Sequence, residues 1–386
     1  MISIAERIKA AFEAGQLSAP RALTLHDVPE RYDLITTQWL TSVLCQKTPG
    51  AEVVSFTLGG RDDGSSNRRR IFLTYNDAGV RAGLPGSIFC KAAETLQTRM
   101  VLSLADVAQN EVNFYNKARQ RLAIAAPNAC YANVDPKTFA SIIVMEDMIG
   151  KAEFCDYQTE VNWDRAAKMV TTLARLHSTF YESKELGTSS LPFNSWPAWW
   201  RKLEAASPTF VSSCDTGFGA AERVIPPRLF KRRSEIWPYT EESVLRHESL
   251  PRTLIHSDVH LRNWFIAENG DMGLSDWQIT TIGHWSRDLI YGITTALTVE
   301  NRRRWDKDLV RLYLEKMAGY GVPEASFDHA WLNCRQQLFS ALAFWTITLR
   351  PATDMPDMQP EAATYEFIKR LATAIDDLDA LDSFRA

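Results

Sequence analysis

The 386-residue chain has no Cys-x-x-Cys pair and no regular cysteine spacing. Its six cysteines, at 45, 90, 130, 155, 214 and 334, therefore read as reduced, mostly buried thiols. No run approaches the roughly 18 apolar residues of a membrane-spanning helix. Charges interrupt every apolar stretch of residues 1–12, which excludes a signal peptide and suggests a short amphipathic helix; the expected location is cytoplasmic. The net charge of −4 and the shortness of the basic runs Arg68-Arg69-Arg70 and Arg302-Arg303-Arg304, neither interleaved with aromatics, argue for solvated faces rather than a nucleic-acid surface. There is no internal repeat and no low-complexity tract. Neither Gly-x-Gly-x-x-Gly nor a P-loop pattern occurs around the Gly-rich segment at 59–67.

What is present is the composition of a folded chain, 45% hydrophobic, 23% charged and 11% aromatic, at a length that suits two lobes flanking a cleft. After two N-terminal helices, residues 53–58 and 70–75 alternate around the turn Gly59–Asn67 and predict a hairpin. Further strands are expected at 87–92, 129–134 and 140–145, joined by connections short enough for antiparallel pairing. Residues 105–123 carry apolar side chains at helical spacing, with Glu111 inside the run. From Trp163 the chain turns helical, with a stripe through Ala167, Val170, Leu173, Ala174 and Leu176. Helices are expected again at 286–299, 303–318, 327–349 and 360–382. Strands first and helices afterwards is the α+β pattern, with an N-terminal lobe over 1–148 and a helical lobe over 149–386.

The helical half is interrupted by residues 254–278, Leu-Ile-His-Ser-Asp-Val-His-Leu-Arg-Asn-Trp-Phe-Ile-Ala-Glu-Asn-Gly-Asp-Met-Gly-Leu-Ser-Asp-Trp-Gln. Asn269-Gly270 is a two-residue hairpin signal. Asp258, Asn263 and Asp276 sit around this strand-turn-strand. A general base, an amide five residues on and a second carboxylate beyond a hairpin are the parts phosphoryl transfer uses to position a hydroxyl and hold magnesium on ATP.

The chain resembles the aminoglycoside phosphotransferase and choline kinase branch of the protein-kinase-like superfamily. His256-Ser257-Asp258-Val259-His260-Leu261-Arg262-Asn263 is similar to that branch's His-Gly-Asp-x-His-x-x-Asn loop, and Leu274-Ser275-Asp276-Trp277-Gln278 to its Ile-Asp-Phe/Trp motif. Lys91, Glu111 and Met145-Glu146-Asp147-Met148 follow the same order, so the resemblance covers roughly residues 53–300. Gln278, Glu146-Asp147 and Asn110–Tyr115 are nearest the ecdysteroid-kinase-like, or CHK-type, group.

The resemblance implies a bilobal kinase-like fold with an N-terminal antiparallel sheet lobe and a larger, mainly helical C-terminal lobe. It makes Asp258 the catalytic base and Asn263 and Asp276 the magnesium ligands. Lys91, paired with Glu111, faces the ATP phosphates. Ser65, Ser66 and Asn67 in the glycine turn are candidate phosphate donors, and main-chain groups from Glu146 to Met148 would pair with the adenine edge. His256, His177 and Asp288 brace the loop. Zinc on His256 and His260 is disfavoured because no matching ligand pair lies nearby. Ser257 stands where the family has Gly, which asks for a conformation open to other residues.

Phe193, Trp196, Trp199, Trp200, Phe339, Phe344 and Trp345 read first as core. Any that line a pocket favour a bulky, largely apolar alcohol as the small-molecule hydroxyl substrate, whereas an aminoglycoside's amines would want clustered acids. Acids scattered along 241–248 and 300–308 keep that second acceptor open. A non-catalytic nucleotide-binding homologue is the alternative of a different class.

Overall fold

The computed structural model describes residues 3–351 and 358–385, and the chain divides into two compact units. The first comprises residues 1–119 and 127–149, the second residues 120–126 and 150–386.

In the first unit, strands β1 (Val53–Asp63), β2 (Asn67–Tyr75), β3 (Ser87–Ala92), β4 (Ala129–Val134) and β5 (Ser141–Glu146) form one antiparallel sheet in the order β1-β2-β3-β5-β4. Strand alternation assigns its faces. Ile88, Cys90 and Ala92 of β3, with Ile142 and Val144 of β5, turn into a core built on Trp39, Leu40 and Val43. Those three lie on the helix Thr37–Leu44, which starts where the Thr36 hydroxyl accepts from the Trp39 amide at 3.0 Å. Lys91, one residue out of phase with that set, points to the opposite face beside its cross-strand partner Ile143.

The hairpin differs from expectation. Gly59 and Gly60 lie within β1, where the register shifts between Leu58 and Arg61, and the turn is confined to residues 64–66. A glycine pair lets a strand absorb a bulge and keep pairing, so the glycines extend the hairpin instead of ending it.

The second unit is mainly helical, with two small sheets. Strand β7 (Thr253–Ile255) pairs antiparallel with β10 (Thr281–Gly283), and β8 (Trp264–Ala267) lies between β6 (Ala152–Phe154) and β9 (Met272–Leu274). Between β8 and β9 the Ala267 amide on the Asp271 carbonyl at 2.9 Å closes a three-residue loop, Glu268–Gly270, with Gly270 at φ 78°. It is longer than the expected two-residue turn by one residue, and the left-handed glycine completes it. Gly273 on β9 faces the Phe265 ring, which a Cβ would meet at 2.1 Å.

Helix Trp163–Phe180 buries Ala166, Met169, Val170, Leu173, Ala174, Leu176, His177 and Phe180. The expected helix over 327–349 is two helices, Phe327–Gln336 and Phe339–Leu349. At the break the Gln337 amide serves tertiary partners: its nitrogen donates to the Ser243 carbonyl at 2.9 Å, and its oxygen pairs with His247 Nε2 at 2.7 Å. Most of the aromatic residues singled out in this unit are core. Trp196, Trp199, Trp200, Phe193, Phe339 and Trp345 are all buried, and the guanidinium of buried Arg287 sits 3.8 Å from the centre of the Trp196 ring. The six cysteines are free, and only Cys130 is exposed. Among the described residues no helix is long and apolar enough to cross a membrane.

His247 links packing to pH. Its Nδ1 accepts from the His284 amide at 2.8 Å, so Nε2 carries the proton given to Gln337 and the ring is neutral. Burial drives its pKa down to about 3. The unfolded chain therefore binds a proton that the fold refuses. Stability from this group is complete above about pH 6.5 and is lost as pH falls toward 3, at ~1.4 kcal/mol per pH unit. Burial depresses His284 in the same direction. Urea denaturation between pH 7.5 and 5 should show a midpoint that falls with pH in the wild type and more shallowly in His247→Gln; a flat wild-type profile would refute the assignment.

Candidate active site

In the first unit, the helix Val107–Asn113 carries Glu111 to the face of β3 from which Lys91 projects. Lys91 Nζ donates to Glu111 Oε1 at 2.7 Å, and both side chains are at least nine-tenths buried. Removing one partner of such a pair costs about 3–5 kcal/mol, because the other charge stays buried. Ser65 and Ser66 occupy the tip of the β1–β2 turn. Asn67 is spent on the fold: its oxygen accepts from Glu94 N, Thr95 N and the Thr98 hydroxyl at 2.8, 3.1 and 2.7 Å, and its nitrogen donates to Asp63 at 2.7 Å. Asn67 thus shapes the turn from inside.

At the far end of β5, the Glu146 amide donates to the Asn128 carbonyl at 3.0 Å and its carboxylate accepts from the Asn128 amide at 2.7 Å. Asp147 is buried, and accepts from both Arg70 and the Ser87 hydroxyl. Its side chain also takes the Ile149 amide at 3.2 Å, fixing the backbone on either side of Met148.

In the second unit, the catalytic-type loop leaves β7 at Ile255 and is held from three directions. His256 Nδ1 accepts from the Asp258 amide at 3.1 Å, which leaves Nε2–H to donate to the Ser275 carbonyl at 3.0 Å. Burial lowers the pKa of this ring, consistent with a neutral strut between the two motifs. Both nitrogens are committed, so His256 has none to offer a metal. Asn263, closing the short turn Leu261–Asn263, donates through Nδ2 to the Asp258 carbonyl at 2.7 Å and to Asp258 Oδ2 at 3.3 Å. The Ser275 amide and hydroxyl both return to the Asn263 carbonyl, at 2.8 and 3.0 Å. Ser275, the residue before Asp276, is thereby joined to the turn that carries Asn263.

Asp288 holds the loop from beneath. It accepts from the amides of His256 and Ser257 at 2.6 and 2.9 Å and pairs with His177 Nε2 at 3.3 Å. Burial pushes its pKa up, but His177 and Arg287 outweigh burial and hold the carboxyl below the ordinary range. His177 Nδ1 in turn meets the Tyr313 hydroxyl at 2.8 Å.

Ser257 departs from what its side chain suggested. It lies in the left-handed region at φ 71°, as does Asp276 at φ 64°, where a non-glycine residue costs roughly 1–2 kcal/mol. Ser257 is tied there by its amide on Asp288, its carbonyl under Arg287, and a 2.7 Å hydrogen bond between its hydroxyl and that of Thr281.

Asp258 is partly exposed, with 15% of its side-chain surface accessible. Burial raises its pKa, but His260, His256 and Arg287 bring it below the ordinary carboxyl value, so it is ionised at neutral pH and equipped to accept a proton. Its Oδ1 receives the Tyr291 hydroxyl at 3.2 Å, and His260 Nε2 lies 3.6 Å from Oδ2. The His260 ring packs on Trp345 and Phe367, with centroids 5.1 and 6.0 Å away. Tyr291, Arg287 and Thr281 were missed from sequence. The three-residue step from Asp288 to Tyr291, which puts both on one helix face, was the available signal for Tyr291.

The sequence model of the APH phosphotransferase enzyme family matches residues 93–325. The chain belongs to this family. The expectation of a small-molecule phosphotransferase rests on that match, which spans Glu111, Glu146, Asp258, Asn263 and Asp276 and begins two residues after Lys91. No curated protein matches the phosphotransferase. Among solved structures, an ethanolamine kinase from Plasmodium vivax is 11% identical, covers 97% of this chain and 95% of its own, and superposes with a TM-score of 0.50. The choline kinase LicA from Streptococcus pneumoniae is 14% identical over 83% of this chain and 94% of its own, with a TM-score of 0.46. Aminoglycoside 2'-phosphotransferase-IIIa, solved with GDP, is 10% identical over 88% and 97%, with a TM-score of 0.48. The first of these likenesses describes the fold, which is the expected bilobal α+β kinase-like fold.

The Ser257 anchor can be tested alone. Ser257→Ala keeps the left-handed strain and leaves the Thr281 hydroxyl buried without this partner, so stability should fall by about 1–3 kcal/mol in chemical denaturation. An unchanged midpoint would mean that the hydroxyl pair holds nothing in place.

Proposed function

We propose that the phosphotransferase moves the γ-phosphate of ATP to a hydroxyl of a small molecule, with Asp258 as the base. The observation that carries this reading is the Asp258 carboxylate, ionised and partly exposed, fixed by Asn263 and tied through His256 and Ser275 to the segment bearing Asp276. As the acceptor oxygen bonds to the γ-phosphorus, its proton passes to Asp258. The bond from that phosphorus to the bridging oxygen breaks, and ADP departs with the electron pair.

Asn263 and Asp276 suit magnesium. With its amide nitrogen given to Asp258, Asn263 turns its oxygen the opposite way, and Asp276 adds a carboxylate; magnesium is commonly held by one or two such hard oxygens plus substrate phosphates. When bound, the ion neutralises phosphate charge. Lys91, aligned by Glu111, would face the α- and β-phosphates. The turn at Ser65 and Ser66 would supply phosphate contacts, and the main chain at Glu146 and Met148 would receive the adenine. In this reading residues 1–148 form the nucleotide-binding lobe, and 149–386 carry the catalytic loop and the acceptor pocket.

For the acceptor we favour a bulky, largely apolar alcohol, and the CHK-type group within the family. Five of the six acids along 241–248 and 300–308 that could serve a polycation are engaged locally. Glu242 pairs with Arg246, Glu248 with Arg201, Asp306 with Arg302 and Asp308 with Arg311, while Glu241 takes the Trp237 indole. His260, beside Asp258, is itself packed on the buried rings of Trp345 and Phe367, so the surroundings of the base are aromatic.

ADP release from magnesium–ATP across a panel of alcohols, sterols, amino alcohols and aminoglycosides should single out an apolar alcohol; turnover with aminoglycosides alone would reverse the acceptor choice. Asp258→Asn should lower kcat by roughly 10²-fold or more while magnesium–ATP binding survives, and full activity in that variant would remove the base assignment. ATP raises the melting temperature of a protein whose folded state binds it. That shift should disappear in Lys91→Ala and in Asp276→Ala, and its persistence in both would place the nucleotide elsewhere.

A further inference from the structure

The Asp258 carboxylate has a second tether that the family motif does not contain. Tyr291 stands on the helix Ser286–Ala296, fully buried, three residues after Asp288. Its hydroxyl donates to Asp258 Oδ1 at 3.2 Å and accepts from Trp345 Nε1 at 2.8 Å. The direction of this chain is fixed by chemistry. An indole N–H only donates and an ionised carboxylate only accepts, so the tyrosine proton must point at Asp258. Trp345, itself buried on the helix Phe339–Leu349, polarises the hydroxyl it feeds.

The terminal torsion of an aspartate is soft, with a broad two-fold profile. Asn263 alone would hold only one of its two oxygens, by a 3.3 Å contact. Here Oδ1 takes the Tyr291 hydroxyl at 3.2 Å, while Asn263 and His260 approach Oδ2 at 3.3 and 3.6 Å, so the carboxylate is held on both sides. One face of one helix thus holds the loop twice: Asp288 takes its backbone amides, and Tyr291 takes the side chain of its base.

We propose that Tyr291, backed by Trp345, is a positioning residue that locks the rotation of the Asp258 carboxylate. The inference rests on Asp258 being the base. Tyr291 touches neither nucleotide nor acceptor in this role; it sets the angle at which Asp258 meets the hydroxyl.

The test is a double-mutant cycle on the full chain, read as ADP release from magnesium–ATP with water as acceptor and with the best alcohol of the panel. Tyr291→Phe removes only the hydroxyl and should lower kcat roughly ten- to a hundred-fold, with KM for ATP unchanged. Trp345→Phe should lower the same parameter less. Combined with Asp258→Asn, Tyr291→Phe should add little further loss, because a positioning residue has nothing left to position. Additive losses, or an unchanged kcat in Tyr291→Phe, would overturn the proposal. Should Asp258→Asn retain full activity, the base assignment fails, and the inference with it. A large loss in Asp258→Asn beside an unaffected Tyr291→Phe overturns the inference alone. If Tyr291→Phe does not fold, the cycle between Trp345→Phe and Asp258→Asn decides, coupling supporting the proposal and additivity rejecting it.

Discussion

A single buried carboxylate organises the second unit. Asp288 receives two consecutive backbone amides, from His256 and Ser257, and a histidine that is itself held by Tyr313. A buried charge is tolerated only when its lone pairs are satisfied, and here the groups that satisfy it are those of the loop carrying Asp258. Stabilising the charge and shaping the loop are therefore the same set of bonds. Arg287 extends the arrangement: its guanidinium bonds the Ser257 carbonyl and lies against Trp196, so the aromatic core is joined to the loop through one side chain.

Two residues at left-handed φ, Ser257 and Asp276, lie one before Asp258 and one after Ser275. Local strain of this kind persists only where its surroundings over-determine it. Around Ser257 they do so through three hydrogen bonds from backbone and hydroxyl. A glycine would reach the same conformation without strain, but it would have no hydroxyl to give Thr281. The strained serine trades conformational ease for a link to β10.

Much of this was legible in the sequence. Turn signals and short connections located β3, the family resemblance singled out Lys91 on it, helical spacing located Glu111, and the five-residue step from Asp258 to Asn263 is what allows a tight turn to fold the amide back onto the carboxylate. The failures have physical causes. Gly59-Gly60 was read as a turn, but a glycine pair also permits a bulge within a strand, and only the register decides. Residues 327–349 were read as one helix because apolar spacing continues across Gln337, whose amide is taken by Ser243 and His247. Asn67 was read as a candidate phosphate donor beside the glycines, and the three bonds its oxygen accepts were not foreseen. Tyr291 carried no motif, since its importance depends on Trp345, 54 residues away in sequence.

His256 has a consequence for how the enzyme meets acid. A histidine in such a loop could serve as a proton-operated hinge, because the free side chain charges near pH 6.5. This one spends one nitrogen on the Asp258 amide and the other on the Ser275 carbonyl, within a setting that penalises the charged ring. Taking up a proton would break the first of those bonds and bury an added charge. The joint between the two motifs is accordingly insulated from modest acidification, and what a falling pH erodes is the margin of the whole fold before the alignment of its reactive groups.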